Sequence, residues 1–240
     1  MAMPRKYMTS IAHSGNHSPM ENITLYNYFR SSTSYRARIA LNLKSLTYDY
    51  KPIHLLNNGG EQNSEEYRKL NPMGGVPTLV HGNHVIAQSS AIIEYLDEAF
   101  PQSYQLLPKD AVTRAHIREF CQIINADTHA YGNLKTLAYL TKNFAAKDDQ
   151  KSAWLNYWMH EGLSACEKIL KKTSKKFCFG DTATAADVFL IPAVTTAIRF
   201  EVDTKKYQNL TRVFDHCNQE EDFMKAHPFR QIDTPADLKI

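Results

Sequence analysis

Cysteine is scarce and scattered: Cys121, Cys166, Cys178 and Cys217 lie far apart, with no C-x-x-C and no zinc-type spacing. Free, buried thiols in a reducing cytosol is the economical reading. The chain lacks G-x-G-x-x-G and the Walker loop, the commonest nucleotide-binding turns, and none of its ten histidines sits in H-E-x-x-H. His81 and His84 bracket a turn at Gly82-Asn83 that needs no metal to explain it. No apolar run reaches the roughly 20 residues that span a bilayer. A long basic block is also missing, since 28 Lys and Arg nearly balance 25 Asp and Glu for a net charge of +3. The densest cluster, Lys171 to Lys176, is interrupted by Thr173 and Ser174 and reads as a solvated helix end. Nucleic acid, membrane and a resident metal are therefore not expected as partners. Residues 1–20 are polar and aperiodic, without the apolar core of a signal peptide, and read as a flexible extension in which Met20 is an alternative start.

What is present is an ordinary globular composition, 43% hydrophobic and 22% charged over 240 residues, enough for one large or two small domains. The most informative stretch is Arg30-Ser31-Ser32-Thr33-Ser34-Tyr35-Arg36-Ala37-Arg38. It follows a strand-like run, Ile23 to Tyr28, and enters a helical pattern in which Tyr35, Ile39 and Leu43 recur. Four hydroxyl residues at a helix mouth, with unpaired N–H groups and the helix dipole behind them, outline an anion site. They also serve as plain caps, and both readings stand on this stretch alone.

The pattern then predicts a second strand over Leu46 to Ile53, a mobile loop at Asn57-Asn58-Gly59-Gly60, and a short helix from Ser64 to Leu70 with Ser64 as N-cap. Asn71-Pro72-Met73-Gly74-Gly75-Val76-Pro77 runs into a strand, leaving Val76 extended with its peptide groups free to pair with a peptide. A hairpin partner follows at His84 to Ala87, then a helix capped by Ser89 or Ser90. Pro101 to Pro108 reads as a linker, after which every pattern is helical. One long helix or a kinked pair is expected over Ala111 to Leu140, with Phe120, Ile124, Tyr131, Leu134 and Ala138 as its apolar stripe. Asn125, His129 and Asn133 form a polar stripe that faces either solvent or a cleft. Thr184 to Asp187 is a capping box opening an apolar helix, in which Pro192 should force a kink or an early start. Arg199 closes that helix.

The fold class is thus α/β plus all-α: a β-α-β-α-β-β-α unit over 21–101, then a helical domain over 109–240. This arrangement resembles the glutathione transferases, and Ser31-Ser32-Thr33-Ser34-Tyr35-Arg36-Ala37-Arg38-Ile39-Ala40-Leu41 resembles the signature of their zeta class. The likeness continues through Asn71 to Leu79, Gln88 to Leu96, Gly180-Asp181, Ala186-Asp187, Arg199 to Asp203 and Asp233-Thr234-Pro235. It implies a thioredoxin-like first domain, a helical-bundle second domain, glutathione as cofactor, a homodimer and a cytoplasmic location.

The resemblance further implies a maleylacetoacetate isomerase of tyrosine and phenylalanine catabolism acting on a diketo acid. A maleylpyruvate isomerase, a conjugating transferase and a non-catalytic binding module are the alternatives. Carried over by position, Ser31 activates the thiol with Ser32 beside it, and Arg30 and Arg199 meet the substrate carboxylates. Glutathione is held by Ser31, Ser32, Thr33, Gln62, Val76, Gln88, Ser89, His129 and Asn133, while Lys135 lies near a position that is often basic. Thr33 stands where the family often has cysteine, and Tyr35 where it usually has tryptophan. A hydroxyl at position 33 cannot form a thiolate or a mixed disulfide.

Overall fold

In the computed structural model the described residues are 22–240, so the expected extension at 1–20 lies outside them. β1 (Ile23–Asn27) leads into α1 (Ser32–Leu43), and β2 (Asp49–Pro52) returns parallel to β1. After α2 (Glu65–Leu70) come β3 (Thr78–His81) and β4 (His84–Ala87), a hairpin across Gly82-Asn83, and then α3 (Ser89–Ala99). The sheet order is β2-β1-β3-β4, with β3 antiparallel to β1 and paired Leu25 to Leu79. This is the thioredoxin-like unit. It is followed by α4 (Ala111–Ile124), a π turn (Asn125–His129), α5 (Ala130–Gly132), α6 (Leu134–Phe144), α7 (Asp148–Thr173), α8 (Ala185–Arg199), α9 (Gln208–Cys217) and α10 (Glu221–Ala226). None of these helices is long and apolar enough to cross a membrane, and the lysines of the 171–176 cluster are exposed, as a helix end would leave them.

α1 is more enclosed than an amphipathic pattern predicts: every residue from Ser34 to Leu41 is buried, Arg36 and Arg38 included. The reason is its position, packed at once against α3, α8 and α10. The Pro101–Pro108 segment is likewise anchored. The Asp97 carboxylate accepts from the N–H groups of Leu106 (3.0 Å) and Leu107 (2.7 Å) and pairs with the buried Lys44 ammonium at 2.8 Å.

Several local expectations are corrected by backbone geometry. The second strand is confined to Asp49–Pro52, because Ser45 takes a positive φ and the Leu46 N–H bonds back to Leu41. The 57–60 loop holds a 3-10 turn, Asn57–Gly59, and a second, Glu61–Asn63, follows it. Gln88, at φ 73°, takes the N-cap position of α3, so Ser89 is the first helical residue and caps nothing. Ser64 caps α2 as its pattern indicates, accepting from the Tyr67 N–H.

The helix expected over 111–140 is broken at the π turn and again at Asn133, whose extended backbone (ψ 160°) starts α6 afresh. Its stripe breaks with it: Phe120 and Ile124 are buried, whereas Leu134 and Ala138 face out. The π turn is held by the Thr128 hydroxyl, which donates to Ile123 O at 2.8 Å, and by the close approach of α7. A Cβ on Gly162 would fall 1.8 Å from Thr128 Oγ1, so only glycine lets the two meet. α8 runs unbroken through Pro192, while the Thr195 and Thr196 hydroxyls donate to the carbonyls of Ile191 and Pro192.

Candidate active site

β1 ends at Asn27, and residues 28–31 turn from it into α1. Their backbone is clamped from both sides. Arg38, fully buried, donates to the carbonyls of Phe29 (2.9 Å), Tyr28 (3.3 Å) and Ala226 (3.0 Å), and the Asp233 carboxylate takes the Phe29 N–H at 3.0 Å and the Tyr50 hydroxyl at 2.5 Å. A loop fixed this way presents Arg30 and Ser31 in one place.

Ser31 is the N-cap of α1, its Oγ accepting from the Ser34 N–H at 3.2 Å. Its hydroxyl also lies 2.9 Å from that of Thr33, which donates to Val76 O at 2.8 Å. Val76 precedes a cis proline at the end of the 71–77 turn, so the N-terminus of α1 faces the start of β3. Ser32 Oγ lies 3.4 Å from Nδ1 of His129, at the C-terminal end of the π turn. Burial, then the charge of Arg36, push the imidazole of His129 down to about 3, which leaves it neutral at physiological pH. Two of the three members of the polar stripe therefore meet α1. Asn125 accepts from Arg36 at 2.6 Å and His129 meets Ser32, whereas Asn133 gives its amide to α6, accepting from the Thr136 N–H and donating to Ala130 O.

Positive charge dominates the site. Arg36, fully buried and pushed down to about 10 by that burial, donates to Ser89 Oγ and Asn125 and lies over the Phe189 ring at 4.3 Å. Among the described residues it makes no ion pair, and α1 has no acidic residue in its first turn. At the cleft rim Arg199 donates to Arg30 O at 3.4 Å and covers the Phe200 ring; burial first, then the neighbouring Arg30, lower its pKa. Arg30 and Arg199 thus act on each other electrostatically, and paired basic side chains suit an anion.

Of the remaining candidates, Gln62 donates to Leu55 O while its Oε1 is buried with no donor, and a buried acceptor left open fits a ligand N–H. Gln88 and Ser89 sit at the N-terminus of α3, where free N–H groups suit a carboxylate. Lys135 is engaged with the Met73 carbonyl. All four cysteines are free and buried, and burial pushes the Cys166 thiol up to about 12, so none supplies a thiolate. The sequence reading missed Arg36, Arg38 and Asp233. Two arginines inside the otherwise apolar 35–41 run were the available signal for the first two, since buried charges need a purpose.

Family models for the glutathione S-transferase N-terminal and C-terminal domains match residues 21–98 and 157–228. A maleylacetoacetate isomerase of Dictyostelium discoideum is 45% identical over 214 residues, 89% of this chain and 97% of that protein. The holo structure of a bacterial maleylpyruvate isomerase of the zeta class superimposes with a TM-score of 0.84 at 39% identity, covering 88% of this chain and 100% of that one. A maleylacetoacetate isomerase from Methylobacterium extorquens AM1, solved with bound malonate and glutathione, gives a TM-score of 0.83 at 30% identity over 89% of this chain and 100% of that one. With this fold and these matches, the chain belongs to the zeta class of the glutathione S-transferase family.

Proposed function

We propose that the protein is a glutathione-dependent cis-trans isomerase of maleylacetoacetate, serving tyrosine and phenylalanine breakdown. The observation that carries this reading is the start of α1, which has no acid in its first turn and where Ser31 and Ser32 follow Arg30, whose carbonyl Arg199 meets. Relatives 37–45% identical over most of the chain include several named maleylacetoacetate isomerase or probable maleylacetoacetate isomerase, with a maleylpyruvate isomerase and a probable glutathione S-transferase among them. The unpartnered Oε1 of Gln62 and the helix N-termini of α1 and α3 form a donor and acceptor set that fits glutathione. Bound glutathione supplies a thiol whose sulfur adds to the conjugated double bond, permits rotation and leaves.

The chain's own residues make that chemistry possible. The Ser31 hydroxyl donates to the sulfur, and with the positive end of α1 it favours the ionised form; one unit of depression is worth about 1.4 kcal/mol. Ser32 and the neutral His129 close the wall beside it. The Val76 backbone holds the cysteinyl part, Gln62 makes a further contact with glutathione, and Gln88 with Ser89 holds the γ-glutamyl carboxylate. Arg30 and Arg199 orient the substrate's two carboxylates and stabilise the negative charge that develops on its carbonyl oxygen.

Maleylpyruvate is the second reading for the substrate, because the zeta-class structure that superimposes at 0.84 bears that activity in its name. Cis-to-trans conversion of maleylacetone and of maleylpyruvate, each with and without glutathione, tests both. Faster conversion of maleylacetone supports the first reading and faster conversion of maleylpyruvate the second; conversion that survives omission of glutathione removes both. A homodimer in the cytoplasm completes the proposal. Four free thiols suit a reducing compartment, and sedimentation at a monomer's mass would remove the dimer.

A further inference from the structure

Counting protons along the hydroxyls of α1 fixes which way each one points. Val76 O has no proton to give, so the 2.8 Å contact uses the single hydroxyl proton of Thr33. The Thr33 oxygen is then an acceptor toward Ser31, and the 2.9 Å contact uses the Ser31 proton. Ser31 Oγ in turn accepts from the Ser34 N–H. The bonds therefore run in one direction, from Ser34 N–H through Ser31 and Thr33 to the Val76 carbonyl. In this arrangement Ser31 keeps a lone pair, and no proton, for the cleft.

We propose that Thr33 is a positioning residue with two opposed effects: it steadies the Val76 carbonyl that receives glutathione, and it competes with the glutathione sulfur for the Ser31 proton. The inference rests on the reading of Ser31 as the sulfur's donor. To serve the sulfur, the Ser31 hydroxyl must rotate away from Thr33, and the Thr33 oxygen loses its donor. The net gain is therefore smaller than a free hydroxyl would give. A side chain at position 33 that accepts poorly leaves the Ser31 proton uncontested, at the expense of the Val76 clamp. Position 33 thus trades glutathione affinity against thiol ionisation.

The test is a pH titration of the ultraviolet thiolate absorbance of bound glutathione, with calorimetric measurement of glutathione affinity beside it. In Thr33→Val the affinity is expected to fall several-fold while the bound thiol titrates up to about one unit lower than in the wild type, a tenfold gain in thiolate fraction. Thr33→Ser, which keeps both bonds, restores the wild-type titration. Thr33→Cys, a weak acceptor, falls between serine and valine, and it carries the test if the valine variant does not fold. A bound thiol that titrates at the wild-type position or higher in Thr33→Val, or in Thr33→Cys if that must stand in, overturns the inference. Ser31→Ala separates this from the reading beneath it. If the bound thiol titrates higher in Ser31→Ala, Ser31 is the donor and only the role of Thr33 is at stake; if it does not move, the donor assignment itself fails. In the double variant Ser31→Ala/Thr33→Val the effect of valine on the titration should vanish.

Discussion

Two helix N-termini in this molecule start from similar sequence and end in opposite chemistry. α8 opens on Thr184 and carries its own anion: buried Asp187 accepts from Cys178 N at 2.7 Å, Thr184 N at 2.8 Å and Thr184 Oγ1 at 3.1 Å. α1 opens on four hydroxyl residues with no acid in its first turn. The first terminus is saturated from within and lies in the core, joining α8 to the loop that ends α7. The second has no acid of its own in the first turn and lies beside Val76 and His129. A helix start becomes a binding site where the chain withholds the carboxylate that would otherwise fill it.

The comparison is broken most severely at α8. Asp187→Ala leaves two buried N–H groups without acceptors, each costing about 1–3 kcal/mol, so a loss of about 3 kcal/mol or more is expected in a urea titration. Glutathione affinity of the surviving fold should not change. If unfolding shifts by less than about 1 kcal/mol, the α8 terminus is not saturated by Asp187 in the way described.

At α1 the corresponding change acts on chemistry more than on folding. Ser31→Ala is expected to lower the isomerisation rate by one or more orders of magnitude with little loss of glutathione affinity, while the lost cap costs about 1 kcal/mol in stability. Should Ser32→Ala be the damaging variant instead, the two serines exchange roles. The contrast with Asp187→Ala, large in stability and silent in binding, separates a terminus built for the fold from one built for a ligand.

The element order of the first domain was legible because each strand and helix there has its own period and its own stop signal, such as Gly82-Asn83 and Ser64. The Thr184 capping box was legible for the same reason: it is written within four residues. Ser31 was ambiguous, because a cap and a ligand site begin with the same hydroxyls, and what the fold adds, the bond from its neighbour Thr33 to Val76 O 43 residues away, is not written locally. The roles of Arg36, Arg38 and Asp233 are set by partners far along the chain, at Asn125, Ala226 and Phe29. No local pattern holds that information. The π turn was invisible too, since it depends on Gly162 admitting Thr128 across a helix pair.

The cleft wall opposite α1 gives a pH test. Burial, then Arg36, disfavour the charged form of His129 and push it from the ordinary 6.5 down to about 3 in the fold. The native state therefore binds fewer protons between those values, and stability present above about 6.5 is lost as pH falls toward 3. His129→Gln should flatten the fall in urea midpoint across that window. An unaltered slope would mean that His129 is solvated and does not seal the cleft beside Ser32.

The smallest effect is expected at Asn133, the member of the polar stripe that turned aside. Its amide accepts from the Thr136 N–H at 2.9 Å and donates to Ala130 O at 2.9 Å, which are the bonds of an N-cap. Asn133→Ala should lower stability by about 1 kcal/mol and leave glutathione affinity unchanged, while Asn133→Asp, which keeps the accepting oxygen, recovers most of the loss. A several-fold weakening of glutathione binding without a change in stability would return Asn133 to the cleft beside His129. That outcome would also extend the α1 receptor by one helical turn, and the contrast with the self-filled terminus of α8 would then involve a wall and not a rim.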